Sequence, residues 1–271
     1  MRIPLYQVDA FASQQFAGNP AAVCVLEAWP DDALLQAIAA ENNLAETAFV
    51  SANLDGSYRL RWFTPSFEIP LCGHATLATG FVLFHHLGVE RRPLRFHTRS
   101  GELLVHWEGE QLVMDFPAYA AEPATLTDRI VAGLGGRPNE FLRAGINYYA
   151  VFEDEAQVRA LQPDYGLLID LMRGSEMIGF VPTAPGQDYD FVSRYLAPEE
   201  GTSMTEDPVT GSIHCALVPL WADRLGKTTL HAYQASPRGG ELFCELIERG
   251  GVPRTLIGGY VQSYLQGVIE V

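Results

Sequence analysis

An internal duplication constrains this chain more than any other feature. Glu68-Ile69-Pro70-Leu71-Cys72-Gly73-His74-Ala75 aligns with Glu206-Asp207-Pro208-Val209-Thr210-Gly211-Ser212-Ile213 at a constant offset of 138 residues. The register continues from Ala78 with Ala216 to Leu87-Gly88 with Leu225-Gly226. Other pieces recur in the same order with small gaps, as insertions into surface loops produce: 19–23 with 147–151, Phe49-Val50 with Phe180-Val181, 61–65 with 194–198, and 99–103 with 238–242. A repeat of this length is a whole structural unit, so the 271 residues read as two copies of one domain rather than as one large domain.

Periodicity gives each copy its elements. Residues 3–11, 20–27, 46–51 and 57–64 are short β-rich runs with polar breaks. From Asp31 to Asn42 an acidic start and apolar residues at Leu34, Leu35, Ile38 and Ala39 form a helical stripe. The stretch from Gly73 to Leu87 is apolar on nearly every side, which places it inside a core, and Gly211 to Leu225 is its counterpart. Strand-like runs follow each of these helices, at 94–98, 102–107 and 111–116, and again at 229–234, 241–248 and 255–266. The expected fold class is therefore α+β, with two tandem pseudo-symmetric domains, each a curved, mostly antiparallel sheet wrapped around a central buried helix. The boundaries fall at 1–118 and 119–259, joined near 117–127, and a C-terminal strand at about 260–271 is available to complete the first domain.

Composition removes several classes of function. With 18 Lys+Arg against 33 Asp+Glu the net charge is −15, which repels phosphate backbones and anionic membranes, so neither nucleic acid nor membrane is an expected partner. Lys227 is the single lysine, and Gly226-Lys227-Thr228 fails as a P-loop because Trp221 stands where its first glycine belongs. Cys24, Cys72, Cys215 and Cys244 are far apart with no C-x-x-C pair, and the histidines are scattered, so no metal site is expected. No Gly-x-Ser-x-Gly elbow or Gly-x-Gly-x-x-Gly loop occurs. The first residues lack a signal-peptide layout, and no apolar run approaches the ~20 residues of a membrane span. The expectation is a soluble cytoplasmic protein.

Matched positions of a duplication carry the fold, so chemically different residues at matched positions are candidates for a site. Pro-x-x-Gly opens the buried helix in both copies, and a helix start offers unpaired amides to an anion. The first copy carries Cys72, Gly73 and His74 there; the second carries Thr210, Gly211 and Ser212, with Asp207 just upstream. Glu46 stands at a helix-to-strand transition, and counting back from the Phe49/Phe180 match gives Met177 as its partner, so the repeated fold does not require the carboxylate. Converging helix starts would let an acidic protein hold a carboxylate through backbone amides.

Several motifs together resemble the PhzF family of phenazine-biosynthesis-like isomerases over essentially the whole chain. They are Asp9-Ala10-Phe11, Gly18-Asn19-Pro20-Ala21-Ala22-Val23, Asn43-Leu44-Ala45-Glu46-Thr47-Ala48-Phe49, Arg61-Trp62-Phe63-Thr64-Pro65, Cys72-Gly73-His74-Ala75-Thr76, Glu206-Asp207-Pro208-Val209-Thr210-Gly211-Ser212 and Tyr233-Gln234-Ala235-Ser236-Pro237-Arg238-Gly239-Gly240. The resemblance implies the diaminopimelate-epimerase-like fold, a site in the cleft between the domains, no cofactor, and a homodimer. It implies that Glu46 moves a proton between carbons of a small cyclic or amino-acid-like carboxylate. His74 and Asp207 would relay protons, the amides of Gly73 and Gly211 would engage the carboxylate, and Ser212, Asn19, Cys72 and Thr210 would complete the substrate contacts. Cys72 stands where related epimerases and racemases carry one of two thiols, but Thr210 occupies the matched position, so the two-thiol mechanism lacks its partner. An amino-acid epimerase or racemase using Glu46 and Cys72, and a non-catalytic binding protein of the same fold, are the competing expectations.

Overall fold

The structure is a computed structural model and describes residues 1–90, 92–198 and 205–271. The chain divides into two compact units, Met1–Asp115 with Gly258–Val271, and Phe116–Ile257.

In the first unit the strands are β1 (Arg2–Ala10), β2 (Asn19–Val25), β3 (Glu46–Ala52), β4 (Tyr58–Phe63), β5 (Glu68–Ile69), β6 (Leu94–Thr98), β7 (Gly101–Glu108) and β8 (Gln111–Pro117). The helices are α1 (Asp32–Asn42) and α2 (Gly73–Phe81), the latter continued by a π-helical turn over Val82–His86. The sheet runs β1, β2, β3, β4, β6, β7, β8, with β2 beside β3 and β4 beside β6 parallel and the other neighbours antiparallel. α1 starts where Asp31 accepts the Leu34 N–H at 2.8 Å and stops at Asn43, which turns into the left-handed region at φ 48. Its face of Leu35, Ile38 and Ala39 packs on Cys24, Phe49 and Phe63. Because β3 alternates sides, Thr47 and Phe49 face α1 while Glu46 and Ala48 face the other way. α2, buried from His74 to Phe81, packs on β1, β2, β3 and β7.

The second unit contains β9 (Glu122–Pro123), α3 (Asp128–Leu134), β10 (Glu140–Ala144), β11 (Asn147–Val151), α4 (Glu155–Ala160), α5 (Tyr165–Met172), β12 (Gly179–Pro185), β13 (Phe191–Ser193), α6 (His214–Leu225), β14 (Thr229–Gln234), β15 (Gly240–Arg249) and β16 (Val252–Gly259). From β10 to β15 the pairings alternate antiparallel, parallel, antiparallel, parallel, antiparallel. That is the order of β1, β2, β3, β4, β6 and β7, strand for strand. The expected run at 255–266 is two strands rather than one. β16 ends at Gly259, and β17 (Val261–Glu270) pairs antiparallel with β1 from Arg2 to Ala10. Helices α3, α4 and α5 have no counterpart in the sequence reading, because their 6 to 8 residues are too short to show a periodic stripe.

One polar device is repeated. In the first unit Arg61 on β4 grips Glu68 with two parallel bonds of 2.8 and 2.7 Å and also donates to Asp32 at 2.7 Å. In the second, Arg194 after β13 grips Glu206 at 2.8 and 2.8 Å and donates to the carbonyls of Leu161 and Val158. With Arg61 matched to Arg194, the ladders correct one sequence match. Phe63 lies opposite Thr47 and Leu196 opposite Phe180, so Phe180 takes the place of Thr47, and the counterpart of Glu46 is Gly179 rather than Met177. Gly179 has no room for a side chain: a Cβ there would come within 2.3 Å of the Tyr195 ring.

Side-chain exposures of 9% and 7% for Arg194 and Glu206 make this a buried pair, in which removing one partner strands the other charge. Glu206→Gln is expected to destabilise the second unit by about 3–5 kcal/mol in urea denaturation. Replacing both partners with apolar residues of similar volume should recover most of that loss.

Candidate active site

Four of the sequence-selected residues meet in the first unit. Asn19 opens β2 after the turn from Phe11 to Gly18, which only glycine can finish: Gly18 sits at φ +69, and a Cβ there would come within 2.2 Å of the Ala10 carbonyl oxygen. The parallel register of β2 and β3 sets Ala21 beside Glu46. Facing away from α1, Glu46 lies against the start of α2, where Cys72 occupies the cap position and His74 the first turn. The Glu46 Oε2 is 3.0 Å from His74 Nε2. The other ring nitrogen, Nδ1, is 3.2 Å from Asn19 Nδ2 and 3.5 Å from Cys72 Sγ. Among the described residues Glu46, Cys72 and His74 alone gather three such groups, with ligand atoms within 4.8 Å of one another. Both nitrogens of His74 face a partner within the cluster, so close polar contacts run from Asn19 through the imidazole to the carboxylate.

The environment separates the roles of these groups. Burial, reinforced by the negative charge of Glu46, pushes the Cys72 thiol up from its ordinary value, so it stays protonated at neutral pH and is a poor base. Burial alone would disfavour a charged His74. The contacts to Cys72 and to Glu46 outweigh that effect and hold its pKa well above the usual histidine value. A protonated thiol carries no charge, so the Glu46 carboxylate is the partner that sustains this direction.

Gly73 opens α2 beside these four, and the remaining sequence-selected residues, Asp207, Thr210, Gly211 and Ser212, gather in the second unit. Thr210 donates its hydroxyl to Asp207 Oδ2 in a short bond. Gln234, fully buried, accepts the Thr210 N–H at 2.8 Å and donates to the Asp207 carbonyl at 2.8 Å and to Thr210 Oγ1 at 3.2 Å. Gln234 thus clamps the segment that presents Asp207, a role the sequence reading did not assign although the residue lies in one of its motifs. The expected helix start at Gly211 is corrected: residues 211–213 form a turn, and α6 begins at His214. The first turn is bonded i to i+3 instead, the amides of His214, Cys215 and Ala216 donating to the carbonyls of Gly211, Ser212 and Ile213 at 3.0, 3.2 and 3.2 Å. Ser212 is exposed on this turn. Buried His214 donates Nδ1 to the Thr210 carbonyl at 2.8 Å, and burial lowers its pKa to about 4, so it is neutral and structural. Thr76 makes the matching bond in the first unit, its hydroxyl donating to the Cys72 carbonyl at 2.5 Å.

No helix among the described residues is long and apolar enough to cross a membrane. The fold is that of the racemase and epimerase group with diaminopimelate-epimerase-like architecture. A probable proline racemase from Agrobacterium radiobacter superposes with a TM-score of 0.66 at 13% identity, covering 99% of this chain and 92% of its own. The sequence profile of the family described as phenazine biosynthesis-like protein matches residues 8–261, and the chain belongs to that family. A PhzF-family crystal structure from Enterococcus faecalis superposes with a TM-score of 0.93 at 44% identity over all of both chains. An uncharacterized isomerase of Pseudomonas aeruginosa is 50% identical over 271 residues, all of both chains. These likenesses support an isomerase.

A histidine whose pKa is higher in the folded than in the unfolded state stabilises the fold fully below about pH 6.5, the unfolded value. That contribution is lost as pH rises through the raised folded value. The stability difference between wild type and His74→Asn, measured by urea titration, is therefore expected to be largest near about pH 6 and to shrink above neutrality. A difference that grows with rising pH would contradict the ion pair.

Proposed function

We propose that the protein is a cofactor-independent isomerase that moves a proton between carbons of a small cyclic or amino-acid-like carboxylate, with Glu46 as the acid–base group. The observation that carries this reading is the buried chain Asn19, His74, Glu46, which ends on a single carboxylate. The Glu46 carboxylate takes a proton from one carbon, the electron pair left behind spreads into the adjoining conjugated system, and the same group returns the proton to a second carbon. His74 holds the carboxylate and helps carry the proton. Asp207 and Ser212 are assigned to relay and substrate contact, and the amides of Gly73 and Gly211 to the substrate carboxylate.

Cys72 favours a second reading, epimerisation with Glu46 and a thiol as the two acid–base groups, because its sulfur lies 3.5 Å from the His74 ring. Its raised pKa and the threonine at the matched position weigh against it. The two readings separate in deuterated water. Glu46→Gln is expected to lower deuterium incorporation into the substrate by about 10²–10⁴-fold, the span general acid–base groups contribute. Cys72→Ala is expected to retain most of it, whereas an epimerase would lose it. Incorporation equal in wild type and Glu46→Gln would remove the glutamate from the mechanism, and none with any small carboxylate would favour a binding protein. Exhaustive chelation should leave the rate unchanged, and sedimentation should show the homodimer that the family resemblance implies.

A further inference from the structure

We propose that Asn19 is a positioning residue that decides which nitrogen of His74 carries the proton facing Glu46; this rests on the reading of Glu46 as the acid–base group. Asn19 is fully buried and presents its amide nitrogen to His74 Nδ1 at 3.2 Å. A neutral imidazole has one donor and one acceptor nitrogen. An amide N–H directed at Nδ1 makes that nitrogen the acceptor and puts the single proton on Nε2, 3.0 Å from the Glu46 carboxylate. The opposite tautomer would set a lone pair against a carboxylate oxygen and an N–H against an N–H, two repulsions in a buried site.

Asparagine is suited to this place because its amide both donates and accepts. When the ring takes a second proton, the amide turns over and offers Oδ1 to Nδ1–H, so His74 changes charge without stranding a buried donor. Among the described residues, the titratable groups that act on the ring are Cys72 beside it and Glu46 on β3. An aspartate in place of Asn19 would only accept when ionised and would hold a proton on Nδ1 throughout. The second unit shows what the fold alone asks of such a residue. Asn147 opens β11 as Asn19 opens β2, and accepts the Tyr195 hydroxyl at 3.0 Å. That unit has Gly179 in place of Glu46 and Ser212 in place of His74, and there the asparagine bonds a tyrosine hydroxyl in place of an imidazole.

The test is nitrogen-15 NMR of the His74 ring in the full labelled chain across pH, for wild type and the isosteric Asn19→Asp, with the pH profile of deuterium incorporation as a second readout. In wild type the neutral ring should carry its proton on Nε2. In Asn19→Asp the ring should stay charged to higher pH, its midpoint rising by at least about one unit, a tenfold gain in proton affinity. When neutral, its proton should sit on Nδ1. A wild-type neutral ring protonated on Nδ1, or identical titrations in the two proteins, would overturn the proposal. Asn19→Leu provides a second variant should the aspartate prevent folding, and is expected to lose the Nε2 preference. The ring spectrum needs no substrate, so it reports on Asn19 even where the isomerase reading fails. Glu46-dependent exchange with unchanged spectra would sink the role of Asn19 and leave the isomerase standing.

Discussion

In each unit, a guanidinium anchored near the centre of the sheet fixes a carboxylate on the segment that leads into the buried helix. Neither charge can be left alone away from water, so each pair must form for its unit to close. Arg61 thereby locks Glu68 four residues ahead of Cys72, and Arg194 locks Glu206 immediately ahead of Asp207. Cys72 and His74 in one unit, and Asp207 in the other, thus follow closely on a two-pronged polar contact of their unit. A site that must hold a carboxylate and an imidazole at hydrogen-bonding distance needs such a support, because it contains groups whose mutual arrangement favourable burial alone would not select.

Much of this was legible in the sequence, for a physical reason. Strands β1 to β4 and helix α1 follow from alternation, capping and an apolar stripe, all local, and the buried helices follow from segments apolar on almost every side. The short helices of the second unit were not legible, since 6 to 8 residues cannot display a period. The start of α6 was misplaced because its first turn is bonded i to i+3, and the choice between that turn and an α-helical one leaves no mark in the apolar pattern. The same limit explains Glu46. Its prominence came from having no partner in the repeat, but its counterpart was set by strand register, which two phenylalanines had mimicked two positions out of step.

Duplication accounts for the asymmetry of the chemistry. Both units retain the arginine–glutamate pair, the strand order and a side chain bonded back to the carbonyl at the head of the central helix, Thr76 in one and His214 in the other. What differs is confined to a few side chains. Where the first unit has Glu46 and His74, the second has a glycine pressed against Tyr195 and an exposed serine. The first unit holds the glutamate–histidine pair, and the second carries a clamped aspartate and a turn.

The strand β17 gives this arrangement a temporal order. It lines β1 along its whole length and belongs to the unit that holds Glu46 and His74, yet it follows every residue of the other unit in the chain. During synthesis the ribosome therefore delivers the second unit entire while the first still shows β1 with one open edge. Unpaired edges invite foreign strands. The helix bearing His74, which also packs on β17, gains that last neighbour only when the edge is sealed, so the half that holds the glutamate–histidine pair is the later of the two to mature.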